Sequence, residues 1–105
     1  MTVALMGGPV HALVATFELY VPASRSLKAK RAALRPIVDG LRHRFKVSVA
    51  EVDHQDTWQR ATIAVALVSG SAGRLDELYD SVARFVDTAS DLDVVDREVT
   101  YAETP

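Results

Sequence analysis

The chain has 105 residues, of which 49% are hydrophobic and 25% are charged, and its formal net charge at pH 7 is −2. These values fit one globular domain of ordinary composition. The absence of cysteine excludes a disulfide framework and a thiolate zinc site, and it agrees with a cytoplasmic location.

The N-terminal segment is apolar but does not read as a targeting signal. It lacks the basic start of a secretory signal, and Gly7, Gly8 and Pro9 interrupt it before it is long enough to span a membrane. We therefore expect a loose leader over residues 1–9, no membrane association, and a single domain over residues 10–105.

The first regular element is predicted to be a strand over residues 10–21. Apolar and polar residues alternate along it, as they do in a strand with one buried face. The residues expected on one face are Leu13, Ala15, Phe17 and Leu19. Those expected on the other are Val14, Thr16, Glu18 and Tyr20.

Residues 25–46 hold most of the positive charge. They contain eight of the twelve basic residues and one acidic residue, Asp39, so their net charge is +7 and the rest of the chain carries −9. Apolar residues recur here every three or four positions, which predicts an amphipathic helix. Ser24 or Ser26 is its expected N-cap, and Pro36 predicts a kink or a break near residues 32–36.

The cations of this helix are candidates for binding the phosphates of a nucleic acid. The candidate residues are Lys28, Lys30, Arg31, Arg35, Arg42, Arg44 and Lys46. The alternative is that they form an ordinary solvated helix face. A solvated face usually mixes Glu with Lys, however, and this one is almost purely positive.

Two strands, a second helix and a last strand complete the chain, at residues 46–54, 58–70, 73–89 and 92–102. The second helix has an acidic outer face. The order βαββαβ predicts a ferredoxin-like α+β sandwich: an antiparallel sheet with the first and third strands central and both helices on one face. The helix-free face is expected to carry Val14, Thr16, Ala64, Ala66 and Val94.

The motifs resemble those of the YlxP-like family, a bacterial domain of unknown function. They are Ser-Leu-Lys-x-Lys-Arg from Ser26, Arg-Phe-x-Val-Ser-Val-Ala-Glu-Val from Arg44, and Asp-x-Trp-Gln-Arg-Ala from Asp56. The resemblance implies a ferredoxin-like fold. The genes of that family commonly neighbour those of a ribosome-binding factor and a translation initiation factor, which implies a role near ribosome assembly or RNA.

A second polar cluster lies between the second and third strands, at residues 51–60, and has three interpretations. In a hydrolytic centre, His54 would be a general base oriented by Asp53 or Asp56. In a metal site, the same three residues would be ligands, although adjacent strand residues point to opposite faces.

In a structural hairpin, which we favour, Asp56 would cap the turn, Trp58 would cover one end of the core and Arg60 would pair with Glu51. His54, Asp56, Trp58 and Arg60 are also candidates for a binding hairpin, because an exposed tryptophan can stack on bases.

The sequence thus predicts a non-enzymatic RNA-binding or ribosome-associated module that uses the basic helix and needs no cofactor or metal. The alternative is a protein-interaction or homo-oligomeric module that docks through the open sheet face or the basic helix.

Overall fold

The computed structural model describes residues 8–104, so residues 1–7 of the predicted leader lie outside the described part of the chain. Its elements follow one another as β1 (His11–Tyr20), α1 (Leu27–Gly40), β2 (Ser48–Asp53), β3 (Arg60–Ser69), α2 (Ala72–Asp87) and β4 (Asp93–Glu103). The strands form one antiparallel sheet in the order β2-β3-β1-β4. The ferredoxin-like sandwich with β1 and β3 central is therefore confirmed.

One face of the sheet forms the core with both helices. The predicted alternation of β1 is confirmed, because Leu13, Ala15, Phe17 and Leu19 are all fully buried. They belong to one apolar cluster with buried residues of the helix layer, namely Leu34 and Ile37 in α1, Leu41 directly after α1, and Leu75, Val82 and Val86 in α2. Removing these side chains from water is the main force that holds the helices on this face.

The opposite face of the sheet carries small and apolar side chains. β1 and β3 pair so that Val14 lies opposite Ala66 and Thr16 opposite Ala64, as expected for the open face. The placement of Val94 on this face is wrong. The register between β1 and β4 shifts after Glu18, so Val94 lies opposite Leu19 and packs against the core. This bulge inserts one extra residue and reverses the alternation.

The basic helix begins at its predicted N-cap, is continuous through Pro36, and ends in a π-helical turn. Ser26 is extended, and its Oγ accepts a hydrogen bond from the backbone N–H of Ala29 at 3.0 Å. α1 continues through Pro36, and a single π-helical turn follows at Leu41–Phe45. The expected break near residues 32–36 is wrong, because Pro36 lies on the exposed side, where the carbonyl that it leaves unpaired can be hydrated. The alternative of a kink there stays a prediction.

Candidate nucleic-acid interface

The outward face of α1 carries three exposed cations, Lys28, Arg31 and Arg35. Their spacing of three and four residues places them on one side of the helix. None of the three forms an ion pair with a carboxylate of residues 8–104. We call these three residues the outward triad. Its charge is free to attract an external anion, because no internal ion pair neutralises it.

Lys30 lies on the opposite side of the same helix and is not part of this surface. It is 1% exposed, and its Nζ donates to the carbonyl oxygens of His54 at 2.7 Å, Arg60 at 3.2 Å and Gln55 at 3.4 Å. An ammonium group has three protons, so these carbonyls use all of them. Our expectation that Lys30 contacts phosphates is therefore wrong.

Glu51 compensates the buried charge of Lys30. Its Oε2 lies 3.0 Å from Nζ, but it accepts no hydrogen bond because the carbonyls already take the protons. A buried ammonium is stable only when its charge and its protons are both matched, and this arrangement provides both. The predicted pair between Glu51 and Arg60 is consequently wrong.

Arg60 faces the open side of the sheet, where it meets a different carboxylate. Glu18 Oε2 lies 3.6 Å from both Arg60 Nη2 and His54 Nε2, and Glu18 Oε1 accepts a 2.5 Å hydrogen bond from Thr62 Oγ1. Glu18 lies opposite Thr62 in the register of β1 and β3, which explains why these side chains meet. Glu18 gave no signal in the sequence as a site residue, because its partners come from a distant strand and loop.

The residues of the hydrolytic hypothesis are not brought together. The His54 side chain faces Glu18, while Asp53 Oδ1 accepts a hydrogen bond from the backbone N–H of His54 at 2.8 Å. Asp56 lies further along the loop and lines a recess with Trp58. Among residues 8–104, no three side chains of ligating type come close enough to hold a metal ion.

The β2–β3 loop, residues 54–59, is fixed to the β1–α1 loop. Gln59 accepts a hydrogen bond from the backbone N–H of Val21 at 2.9 Å, and its Nε2 donates to the carbonyl oxygens of Pro22 and Ser24 at 3.2 and 3.4 Å. Together with the bonds from Lys30 to two carbonyls of the loop and to that of Arg60 directly after it, these contacts hold the loop from two sides.

Trp58 projects from this loop into solvent and is 54% exposed. The expectation that it covers one end of the core is therefore wrong. The expected cap by Asp56 is also wrong, because the backbone N–H of Thr57 closes the turn on the carbonyl oxygen of His54 at 3.0 Å.

The remaining predicted cations lie at the C-terminal end of the helix and are exposed. Arg42 Nη2 donates to the carbonyl oxygen of Val49 at 2.9 Å. The guanidinium of Arg44 lies over the rings of Phe85 and Phe45, 5.0 and 5.6 Å from their centroids. Lys46 ends the π-helical turn in the left-handed region, with φ 55°. Arg42 and Arg44 thus help to hold the fold and still present charge.

The acidic outer face predicted for the second helix is also present. Asp76, Glu77, Asp80 and Asp87 of α2 are all exposed. Asp87 Oδ1 lies 2.8 Å from Arg97 Nη2 of β4, and this hydrogen bond raises the pKa of Arg97. Within the described part of the chain, no helix has both the length and the apolar character needed to cross a bilayer.

Comparison with known proteins identifies one matching family. The family model "Protein of unknown function (DUF503)" matches residues 12–99. The uncharacterized protein YlxP of Bacillus subtilis (strain 168) is 34% identical over 86 residues, which are 82% of this chain and 90% of that protein.

Two solved structures share the fold at low sequence identity. Rv0793 of Mycobacterium tuberculosis has a TM-score of 0.52 and 20% identity, over 93% of this chain and 95% of its own. SO0527 of Shewanella oneidensis has a TM-score of 0.52 and 16% identity, over 90% of each chain. Identities this low support the arrangement of the elements and nothing about function.

Proposed function

The chain belongs to the YlxP-like family of proteins of unknown function (DUF503), and we propose that it is a non-enzymatic, cytoplasmic module that binds RNA or a ribosomal particle. The single observation that carries the proposal is the outward triad of α1, whose three cations are exposed and form no ion pair within residues 8–104. An RNA backbone supplies the closely spaced negative charges that such a surface attracts.

The geometry of α1 suits a contact with more than one phosphate. Lys28 and Arg35 are seven residues apart, which is about 10 Å along a helix. Arg42 continues the charge beyond them and is exposed although it also bonds to Val49. α2 presents carboxylates instead, so it would repel the same ligand and leave α1 as the contact.

Charge reversal on the two helices tests this proposal with matched variants. Arg31→Glu/Arg35→Glu changes two exposed arginines of α1, and Arg74→Glu/Arg84→Glu changes two exposed arginines of α2. Both variants lower the net charge by the same amount. We expect the α1 variant to weaken binding by about 100-fold, because each charge-assisted contact contributes roughly 1.5 kcal/mol or more.

The affinity is measured by fluorescence anisotropy at a series of salt concentrations. The ligands are labelled unpaired RNA, labelled structured RNA and purified ribosomal particles. Affinity must fall as salt rises, because bound phosphates release counterions. Equal losses in the two variants would mean that only net charge matters. No binding at low salt to any of these ligands would rule out the proposal.

The second candidate is self-association through the open sheet face. Its motivation is that Val14 and Val68 are 45% and 68% exposed on adjacent strands, with Ala66 between them on the same face. The mass measured by light scattering at low and high salt distinguishes the two possible interfaces. Association through the apolar sheet face should persist in high salt. Association of the basic helix with the acidic helix of another copy should weaken as salt rises. A Val68→Lys variant should be monomeric if the open face is the interface.

A further inference from the structure

Trp58 is an exposed aromatic side chain on a rigid support. On one side, Lys30 donates two hydrogen bonds to the β2–β3 loop and a third to Arg60, which directly follows the loop. On the other side, Gln59 ties the loop to the β1–α1 loop. A loop held in this way does not need its tryptophan for packing, and Trp58 is indeed more than half exposed. A rigid, solvent-facing ring loses little conformational entropy when a planar ligand stacks on it.

The ring borders an open recess of about 560 Å³ between the two loops. The recess is lined by Ser24, Arg25, Asp56, Thr57, Trp58 and Gln59. Its volume is within the roughly 300–1,000 Å³ that small-molecule sites occupy. The recess therefore combines an aromatic face, a cation and a carboxylate in a space large enough for one nucleotide.

Charge connects this recess to the outward triad. Arg25 is exposed, forms no ion pair within residues 8–104, and precedes Lys28 by three residues. A strand of RNA that follows the triad toward the start of α1 would thus reach a further cation and then Trp58. This continuity favours a nucleic acid over an apolar peptide, which would gain nothing from the cations.

We propose that the recess binds one unpaired nucleotide of a single-stranded RNA, whose base stacks on Trp58 while Arg25 contacts its phosphate. Asp56 carries a negative charge that repels phosphate, and its carboxylate accepts hydrogen bonds from base N–H groups, so the base edge faces Asp56. This inference rests on the RNA-binding function proposed above and names the form of RNA that the site takes.

The chain contains a single tryptophan, so its tryptophan fluorescence, excited at the red edge where tyrosine does not absorb, reports on this recess alone. The probe is an unlabelled oligonucleotide of about ten unpaired residues, with its perfect duplex as the comparison. We expect the unpaired strand to quench the fluorescence with the same dissociation constant that anisotropy gives for its labelled form. The duplex should quench little, because its bases are already stacked and cannot reach the ring.

Substitution at Trp58 separates the recess from the helix. Trp58→Ala should weaken binding of the unpaired strand by about 10- to 100-fold, and Trp58→Phe should retain most of the affinity, because stacking needs an aromatic face. The matched control is Tyr101→Ala, which removes an aromatic side chain that is 60% exposed at the other end of the sheet. This control should bind as tightly as the unchanged protein.

The outcomes distinguish this inference from the one on which it rests. Three outcomes would overturn the stacking site and leave the role of α1 intact. They are binding of RNA without quenching of Trp58, equal quenching by the unpaired strand and the duplex, and full RNA affinity in Trp58→Ala. No binding of any RNA by the unchanged protein would overturn both. Quenching by an acidic peptide in place of RNA would reassign the recess to a protein partner and overturn the nucleotide site.

Discussion

Lys28 and Lys30 lie two residues apart on α1 and have opposite environments. Lys28 is exposed, whereas Lys30 is 1% exposed and donates three hydrogen bonds, two to the β2–β3 loop and one to the first residue of β3. A positive charge on the inward face of the helix therefore holds two parts of the fold together, and a positive charge on the outward face remains available for a partner. Net charge alone is thus no measure of the capacity of a segment for binding.

The largest effect should follow removal of the inward charge. Lys30→Met leaves three carbonyl oxygens and Glu51 without their partner, so we expect the free energy of unfolding to fall by about 3 kcal/mol. Lys28→Met is the matched control and should change it by less than about 0.5 kcal/mol, because the side chain is exposed. Denaturant titration followed by circular dichroism measures both values.

The same pair of variants also tests whether Lys30, on the inward face of α1, contacts RNA. Where Lys30→Met is still folded, the dependence of RNA affinity on salt should match that of the unchanged protein, because Lys30 reaches no phosphate. A shallower salt dependence in Lys30→Met would show that Lys30 is accessible to RNA. Equal stability of the two methionine variants would show that the carbonyl contacts are unimportant.

A smaller effect is expected at Gly40, which also lies toward the interior of the fold. A Cβ at this position would lie 2.3 Å from Cζ of Phe85, whose ring packs edge-on against Phe45 with centroids 5.6 Å apart. Gly40→Ala should gain about 1 kcal/mol in helix propensity but lose roughly 1–3 kcal/mol through overpacking. We expect a net loss of about 1 kcal/mol in the free energy of unfolding, measured by denaturant titration.

Gly73 provides the control for that substitution. It lies in α2, where an added Cβ would meet only Ser71 Oγ at an ordinary 3.9 Å. Gly73→Ala should therefore leave the stability unchanged or raise it slightly. If Gly40→Ala were also stabilising, the ring of Phe85 would have moved aside without cost, and close packing would not explain the glycine.

The fold was predictable because local patterns agreed with it. Alternation along β1 identified the buried face, and the recurrence of apolar residues every three or four positions, Leu34 and Ile37 among them, predicted the amphipathic helix at α1. The same spacing contains the signal for Lys30, which precedes Leu34 by four residues and Ile37 by seven and so lies on the inward side. The expectation that every cation of the helix contacts phosphate did not take this spacing into account.

The surroundings of Lys30 and Trp58 could not be predicted from local patterns. Glu51 follows the buried Val49 by two residues and so shares its face, but which residue of the helix layer it meets there depends on how α1 packs on the sheet. The exposure of Trp58 depends on contacts between two loops, made by hydrogen bonds from Gln59 to carbonyl oxygens that lie 37 and 35 positions earlier in the sequence. Periodicity describes one element at a time and carries no information about such contacts.

The smallest effect should follow the removal of a single cation from the outward triad. This change tests most directly whether the outward face contacts RNA. Lys28→Gln removes one charge without reversing it, so we expect RNA affinity to fall only a few-fold. The slope of log K against log salt should decrease by about 0.7 for an unpaired strand, because one fewer counterion is released.

Arg74→Gln on α2 is the matched control and should leave the slope unchanged, although its net charge is the same as that of Lys28→Gln. If Lys28→Gln and Arg74→Gln give the same slope as the unchanged protein, Lys28 touches no phosphate even though it is exposed. Lys28 and Lys30 would then differ in burial but not in binding to RNA. Exposure makes a charge available to a partner, but only a change in counterion release shows that the partner contacts it.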